Sequence, residues 1–268
     1  MGVRVPLRAQ MSSYLRWGTV GLASYAAWAV ANILFVLALP FIAIFTAVDR
    51  RHGYRSLRRG GAAFLRVFFF GWLSAVRLHR FAPLPPREVR DRGPCVYAAN
   101  HRSWMDPLLA LALFPGVRVP VNVGYTRIPL MGPIMRWMGC VTLDKGSPAR
   151  LAAALEECRR ALAAGEPVFA FPEGRRTAGP GLGAFGDAFF RLAIEAGAPV
   201  VPVVLHADVP FLAPGGGSML TSRRATWTIR VLDAVPRDPR DSAADLSRLT
   251  RKALARELAQ LDGGAPHD

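Results

Sequence analysis

Acidic side chains are scarce in this chain: 19 Asp and Glu stand against 34 Lys and Arg over 268 residues, leaving a net charge of +15. That imbalance implies an anionic partner, either nucleic acid or an anionic membrane surface. Lysine is almost absent, confined to Lys145 and Lys252, so the positive charge is arginine, whose fork of donors suits phosphate. Cysteine is sparse too. Cys95, Cys140 and Cys158 lie in apolar or helical surroundings without a pairing pattern. This excludes a disulfide framework and a zinc site, and it fits a reducing compartment. No G-x-S-x-G elbow occurs, so a hydrolase built on that serine is excluded. No recognition-helix or RNA-binding signature accompanies the arginines, which sets nucleic acid aside.

Charge of either sign is missing from residues 18–48, a run of 31 residues. About 20 apolar residues suffice to cross a bilayer as a helix, and a signal peptide's apolar core is roughly 7 to 15. The expectation is therefore an N-terminal membrane helix, or, because Pro40 interrupts the run, a shallow helical hairpin. Six arginines from Arg50 to Arg66 follow the run, against three before it. The positive-inside rule then puts the rest of the chain on the cytoplasmic face of the cell membrane. Residues 61–80 are aromatic and apolar with cationic ends and read as an interfacial helix, with a buried domain helix as the alternative. Prolines 83, 85 and 86 mark a boundary, giving an anchor over 1–82 and an α/β domain over 83–268.

Within that domain, short β-branched runs at 95–99, 118–123, 140–143, 168–171, 200–205 and 225–231 alternate with helical patterns. The helices are expected at 108–114, 131–138, 148–165, about 187–196 and 245–261. Ser147-Pro148 is a cap followed by proline at the first helical position. Alternation of this kind implies an α/β fold, with a mixed, partly parallel central sheet flanked by helices and ligand sites at the carboxyl ends of strands.

Chemistry concentrates at those ends. His101 and Asp106 follow one strand, Asp144 and Lys145 another, and Glu173, Arg175 and Arg176 a third. Residues five apart in one helix sit about 140° around the axis from each other, so a pairing of His101 with Asp106 needs a turn between strand and helix. Asp106-Pro107 reads as an N-cap and helix start. Folded together, the aspartate fixes the imidazole's tautomer and leaves the other ring nitrogen as a general base. Taken alone, a plain loop histidine beside an N-cap explains the pair equally well.

Four blocks in order carry a resemblance: residues 100–106 (Asn-His-Arg-Ser-Trp-Met-Asp), 139–145 (Gly-Cys-Val-Thr-Leu-Asp-Lys), 171–176 (Phe-Pro-Glu-Gly-Arg-Arg) and 200–203 (Val-Val-Pro-Val). Over residues 92–210 the chain resembles the glycerolipid acyltransferases with the H-x4-D box, which act on 1-acylglycerol-3-phosphate and related lysophospholipids. The resemblance implies transfer of a fatty acyl group from acyl-CoA or an acyl-carrier protein to a lysophospholipid hydroxyl. It implies His101 and Asp106 as the catalytic pair, and no metal or cofactor beyond the thioester co-substrate. Glu173, Gly174, Arg175 and Arg176, with Asn100, Ser103 and Lys145, are the implied substrate-binding set, Arg176 on the acceptor phosphate. Backbone amides of the His101 or Gly174 turns are the candidate oxyanion donors. Arg175 stands where the family usually has threonine, and Gly186 and Asp187 where it usually has two lysines. A lysolipid or lyso-aminolipid with another headgroup is the alternative acceptor, a (thio)esterase the rival chemistry, and a non-catalytic lipid-binding relative the third possibility.

Overall fold

The computed structural model describes residues 50–75, 79–128, 131–179, 181–214 and 224–263, with scattered positions between 22 and 44. Strands β1 (His79–Phe81), β2 (Val96–Ala99), β5 (Val168–Ala170), β6 (Val200–Ala207) and β7 (Ala225–Val231) form one sheet in the order β1-β7-β6-β2-β5. Every neighbouring pair is parallel except β6 and β7. Strands β3 (Val119–Asn122) and β4 (Cys140–Leu143) make a parallel pair of their own. A parallel bridge between Arg118 and Val168 sets this pair beside β5, with the Phe169 N–H donating to the Arg118 carbonyl at 2.8 Å. The sheet is thus mixed and mostly parallel.

Side chains sort to its two faces with the period of two that a strand imposes. Tyr97 and Ala99 of β2 join Phe169, Val201, Leu109 and Phe114 on one face, while Val96 and Ala98 join Val168, Val200, Cys158 and Phe190 on the other. All four β2 side chains are buried, as expected for a central strand covered on both sides. Helices α1 (Arg50–Arg66) and α2 (Asp106–Leu113) pack over the first face. Helices α4 (Pro148–Ala163), α5 (Ala188–Glu195) and α6 (Ala243–Asp262) cover the second, and α3 (Met131–Trp137) precedes β4. The Ser147 hydroxyl accepts the Arg150 N–H at 3.4 Å, with Pro148 opening the helix behind it, so the cap is real.

The α/β body reaches back beyond residue 83. Strand β1 pairs with β7, and Leu65, Phe68, Phe69 and Leu73 sit in the core, on α1 and its continuation through a π-helical stretch, Val67–Trp72. The interfacial reading of this segment is thereby corrected in part. Its inner face packs on the domain, and Arg66 Nε donates to the Ala112 carbonyl at 2.6 Å. Its outer face exposes Phe64, Val67 and Trp72. The expected membrane segment, 18–48, lies outside the described residues except for scattered helical positions, where apolar side chains such as Leu22, Ile33 and Phe41 are exposed. Among the described residues, no helix is long and apolar enough to cross a membrane.

Candidate active site

Strand β2 ends at Ala99, and the chain then makes a tight turn into α2. Asn100 pins that departure. Its buried amide bridges to β6, donating to the Leu205 carbonyl at 2.8 Å and accepting the Leu205 N–H at 2.9 Å. The turn itself is wound around Asp106. One carboxylate oxygen, Oδ2, lies 2.9 Å from His101 Nδ1 and accepts the backbone N–H groups of Arg102 (2.8 Å) and Ser103 (2.7 Å). The N-cap expectation for Asp106 is corrected here: Met105 holds the cap position and Asp106 is the first helical residue. Its carboxylate turns back on the preceding turn rather than forward onto the helix, because there it finds two amides and an imidazole together. Asp106 is almost fully buried.

Two neighbouring loops clamp the turn from outside. After β5, Glu173 accepts the His101 N–H at 2.8 Å through Oε1, while Oε2 accepts the Gly183 N–H at 2.8 Å and the Thr177 hydroxyl. The Thr177 N–H returns to the His101 carbonyl at 2.8 Å. After β6, the Ser103 hydroxyl donates to the Phe211 carbonyl at 2.7 Å, and the Trp104 N–H to the Leu212 carbonyl at 3.1 Å. Leu212 holds φ +48, a left-handed conformation that costs a side-chain-bearing residue roughly 1–2 kcal/mol. That geometry aims its carbonyl at both Trp104 and the Arg176 guanidinium, 3.1 Å away. The Phe171 ring stacks on the imidazole, centroids 4.3 Å apart.

His101 looks onto a cavity of about 760 Å³. Leu108, Met135, Leu143, Leu151 and Leu155 give it apolar walls, while Lys145, Arg175 and Arg176 are the cations that line it. Lys145 Nζ donates to the Gly174 carbonyl at 3.1 Å. Gly174 has φ +65, and a Cβ there would come within 2.2 Å of Nζ, so glycine is what allows the lysine its place.

The structure therefore divides the expected site residues. His101, Gly174, Arg175, Arg176 and Lys145 line the cavity, with Asp106 directly behind the imidazole. Asn100, Ser103 and Glu173 spend their polar atoms on the protein's own backbone and hold the turn in place. The candidate oxyanion donors are also committed, the His101 N–H to Glu173 and the Gly174 N–H to the Phe171 carbonyl at 2.9 Å. His206, the residue after the run 200–205, belongs to β6 and faces Asp262 at 3.2 Å instead of the cavity. Phe171, Thr177 and Leu212 entered the site without being singled out from sequence. Only Phe171, inside the third block, carried a local signal. All three cysteines are buried free thiols, and burial pushes Cys95 up to about 11 and Cys140 and Cys158 up to about 12. Among the described residues no cluster of metal-ligating side chains occurs.

A histidine backed by a buried carboxylate, facing an apolar cavity rimmed with cations, suits proton abstraction beside a bound lipid. Residues 84–206 match the family model described as Acyltransferase. Over that stretch the chain is similar to the glycerolipid acyltransferases. A chloroplast 1-acyl-sn-glycerol-3-phosphate acyltransferase of Brassica napus is 27% identical over 211 residues, covering 79% of this chain and 59% of that protein. A lyso-ornithine lipid O-acyltransferase of Pseudomonas aeruginosa is 29% identical over 208 residues, 70% of this chain and 78% of that protein. The crystal structure of the 1-acyl-sn-glycerophosphate acyltransferase from Thermotoga maritima superimposes with a TM-score of 0.71 at 19% identity, covering 95% of this chain and all of that one, a likeness of fold. The chain spans 59% and 50% of the length of the Brassica and Arabidopsis proteins it matches.

Proposed function

We propose that this acyltransferase moves a fatty acyl group from a coenzyme A or acyl-carrier-protein thioester to the free hydroxyl of a lysophospholipid, 1-acylglycerol-3-phosphate first among them. The observation that carries the reading is the His101–Asp106 pair, 2.9 Å apart, on the wall of an apolar, cation-rimmed cavity. With Nδ1 held by Asp106, Nε2 takes the proton of the acceptor hydroxyl as its oxygen attacks the thioester carbonyl. The C–S bond of the tetrahedral intermediate breaks, and the thiolate leaves with the proton from the imidazolium. No acyl-enzyme forms. Lys145, Arg175 and Arg176 supply the charge that receives the acceptor's phosphate, and Gly174 keeps Lys145 within reach. Asn100, Ser103 and Glu173 contribute by fixing the turn that carries His101.

Exposed Phe64, Val67 and Trp72, together with the arginine-rich sequence of residues 50–66, support docking on an anionic cytoplasmic leaflet. The similarity to a lyso-ornithine lipid acyltransferase favours a second acceptor, a lyso-aminolipid. The test is radiolabelled acyl transfer from acyl-CoA and acyl-carrier-protein donors to lysophosphatidic acid, other lysophospholipids and lyso-ornithine lipid, wild type against His101→Ala. A labelled diacyl lipid that the variant fails to make supports the reading, and the acceptor that works names the substrate. Label released only as free fatty acid would establish a thioesterase, and lysolipid binding without turnover a non-catalytic relative.

A further inference from the structure

Asp262 is the last residue of α6 before its cap, Gly263. A carboxylate there is placed against the helix dipole, whose negative end favours cations. Among the described residues its partners are not local. Its partners come from 160 and 56 residues away: Arg102 Nη1 and Nη2 donate to the two carboxylate oxygens at 2.9 Å each, and His206 Nε2 lies 3.2 Å from Oδ1. The Arg102 fork also donates to the Gly181 carbonyl at 3.1 Å, and its buried Nε has no partner among the described residues. The guanidinium is mostly buried, so its charge depends on Asp262 for compensation. The hydrogen bonds from Arg102 hold the Asp262 carboxyl below the usual carboxylate range, keeping it ionised.

Arg102 sits inside the turn it anchors. Its own N–H donates to Asp106 Oδ2, the oxygen that also faces His101 Nδ1. Through Gly181 the same side chain reaches the loop that Glu173 and Thr177 fasten to His101.

We propose that Asp262 is a positioning residue for His101. From the end of the C-terminal helix it clasps Arg102, and through the Arg102 backbone it fixes the Asp106 carboxylate against the imidazole. This rests on the reading of His101 as the base, and the test separates the two. Asp262→Asn keeps the side chain's size and removes its charge; Arg102→Ala removes the other half of the clasp. Leu258→Ala, a buried change one turn earlier on α6, serves as the control for lost stability alone. Steady-state kinetics and hydrogen–deuterium exchange on residues 100–106 are measured for each in the full-length protein.

Asp262→Asn is expected to lower kcat by about tenfold with KM within about twofold, and to speed exchange across the turn. Arg102→Ala, which also gives up the bond to Gly181, lowers kcat at least as far, and the double variant falls well short of the product of the two losses, since the clasp between them is shared. Leu258→Ala lowers Tm as much or more, yet keeps kcat and the turn's protection. The proposal is overturned if Asp262→Asn leaves exchange at 100–106 unchanged, or if its kcat merely follows Tm as in Leu258→Ala. Should the turn open in Asp262→Asn while wild type transfers no acyl group to any acceptor, the clasp stands and the acyl-transfer reading alone falls.

Discussion

At the scale of single residues, the proposed reaction rests on one oxygen. Asp106 Oδ2 serves the imidazole and two amides at once, so its loss both frees the ring and leaves buried donors unpaired. Asp106→Ala is expected to lower acyl transfer by about a hundredfold or more, and to cost roughly 2–3 kcal/mol in urea unfolding. His101→Ala should lose as much activity with far less stability, because its ring is partly exposed to the cavity and its backbone bonds remain. Gly174→Ala tests the cationic rim. The left-handed backbone costs about 1–2 kcal/mol with a side chain, and the new Cβ displaces Lys145 Nζ. The expected result is a raised KM for an anionic lysolipid, measured against a neutral one whose KM stays put. His101 and Asp106 were legible as a pair because they lie five residues apart and one turn brings them together. The clasp of Arg102 with Asp262 was not, since 160 residues intervene and neither side chain belongs to a local pattern.

At the scale of elements, boundaries came through where local chemistry sets them. Ser147-Pro148 opens α4 as its cap and proline require, and β4 runs over the expected Cys140–Leu143. Ser242 and Asp245 form a capping box at the start of α6, two residues upstream of the sequence expectation. Ser242→Ala is expected to cost about 1 kcal/mol in chemical denaturation, without altering kcat, because that end of α6 is remote from Asp262. Residues 61–75 resisted the same reasoning. Phe68, Phe69 and Leu73 face the core while Phe64, Val67 and Trp72 face outward, and a segment apolar on all sides has no periodicity that separates protein from lipid. The π-helical stretch Val67–Trp72 also shifts the register that any 3.6-residue count would use.

At the scale of the whole molecule, charge and burial determine the response to solvent. His79, in the core between Phe211 and Trp227, accepts the Trp227 Nε1 hydrogen bond at 2.9 Å and is lowered to about 4 by burial first and by Arg224 second. An unfolded chain takes that proton near pH 6.5, so below this pH it binds more protons than the fold does. Stability from this group is therefore complete above pH 6.5 and declines as pH falls to about 4, by roughly 3 kcal/mol. Urea midpoints should follow that slope, and His79→Gln, which retains an acceptor for Trp227, should flatten it. The +15 charge leads to a second expectation: co-flotation with vesicles containing anionic lipid weakens as salt rises, while neutral vesicles show little of this dependence.

Composition and order along the chain were enough for the α/β alternation and the placement of polar residues after β2, β4 and β5, because these follow from nearest-neighbour propensity and periodicity. Only the folded chain decided which of those polar residues face the cavity. Asn100, Ser103 and Glu173 sit in the same blocks as His101, Gly174 and Arg176, yet their hydrogen bonds go to Leu205, Phe211 and the His101 backbone. A buried polar group must find a partner, and whether that partner is substrate or distant backbone is set by strand order and loop return. Neither is written in any local stretch of the sequence.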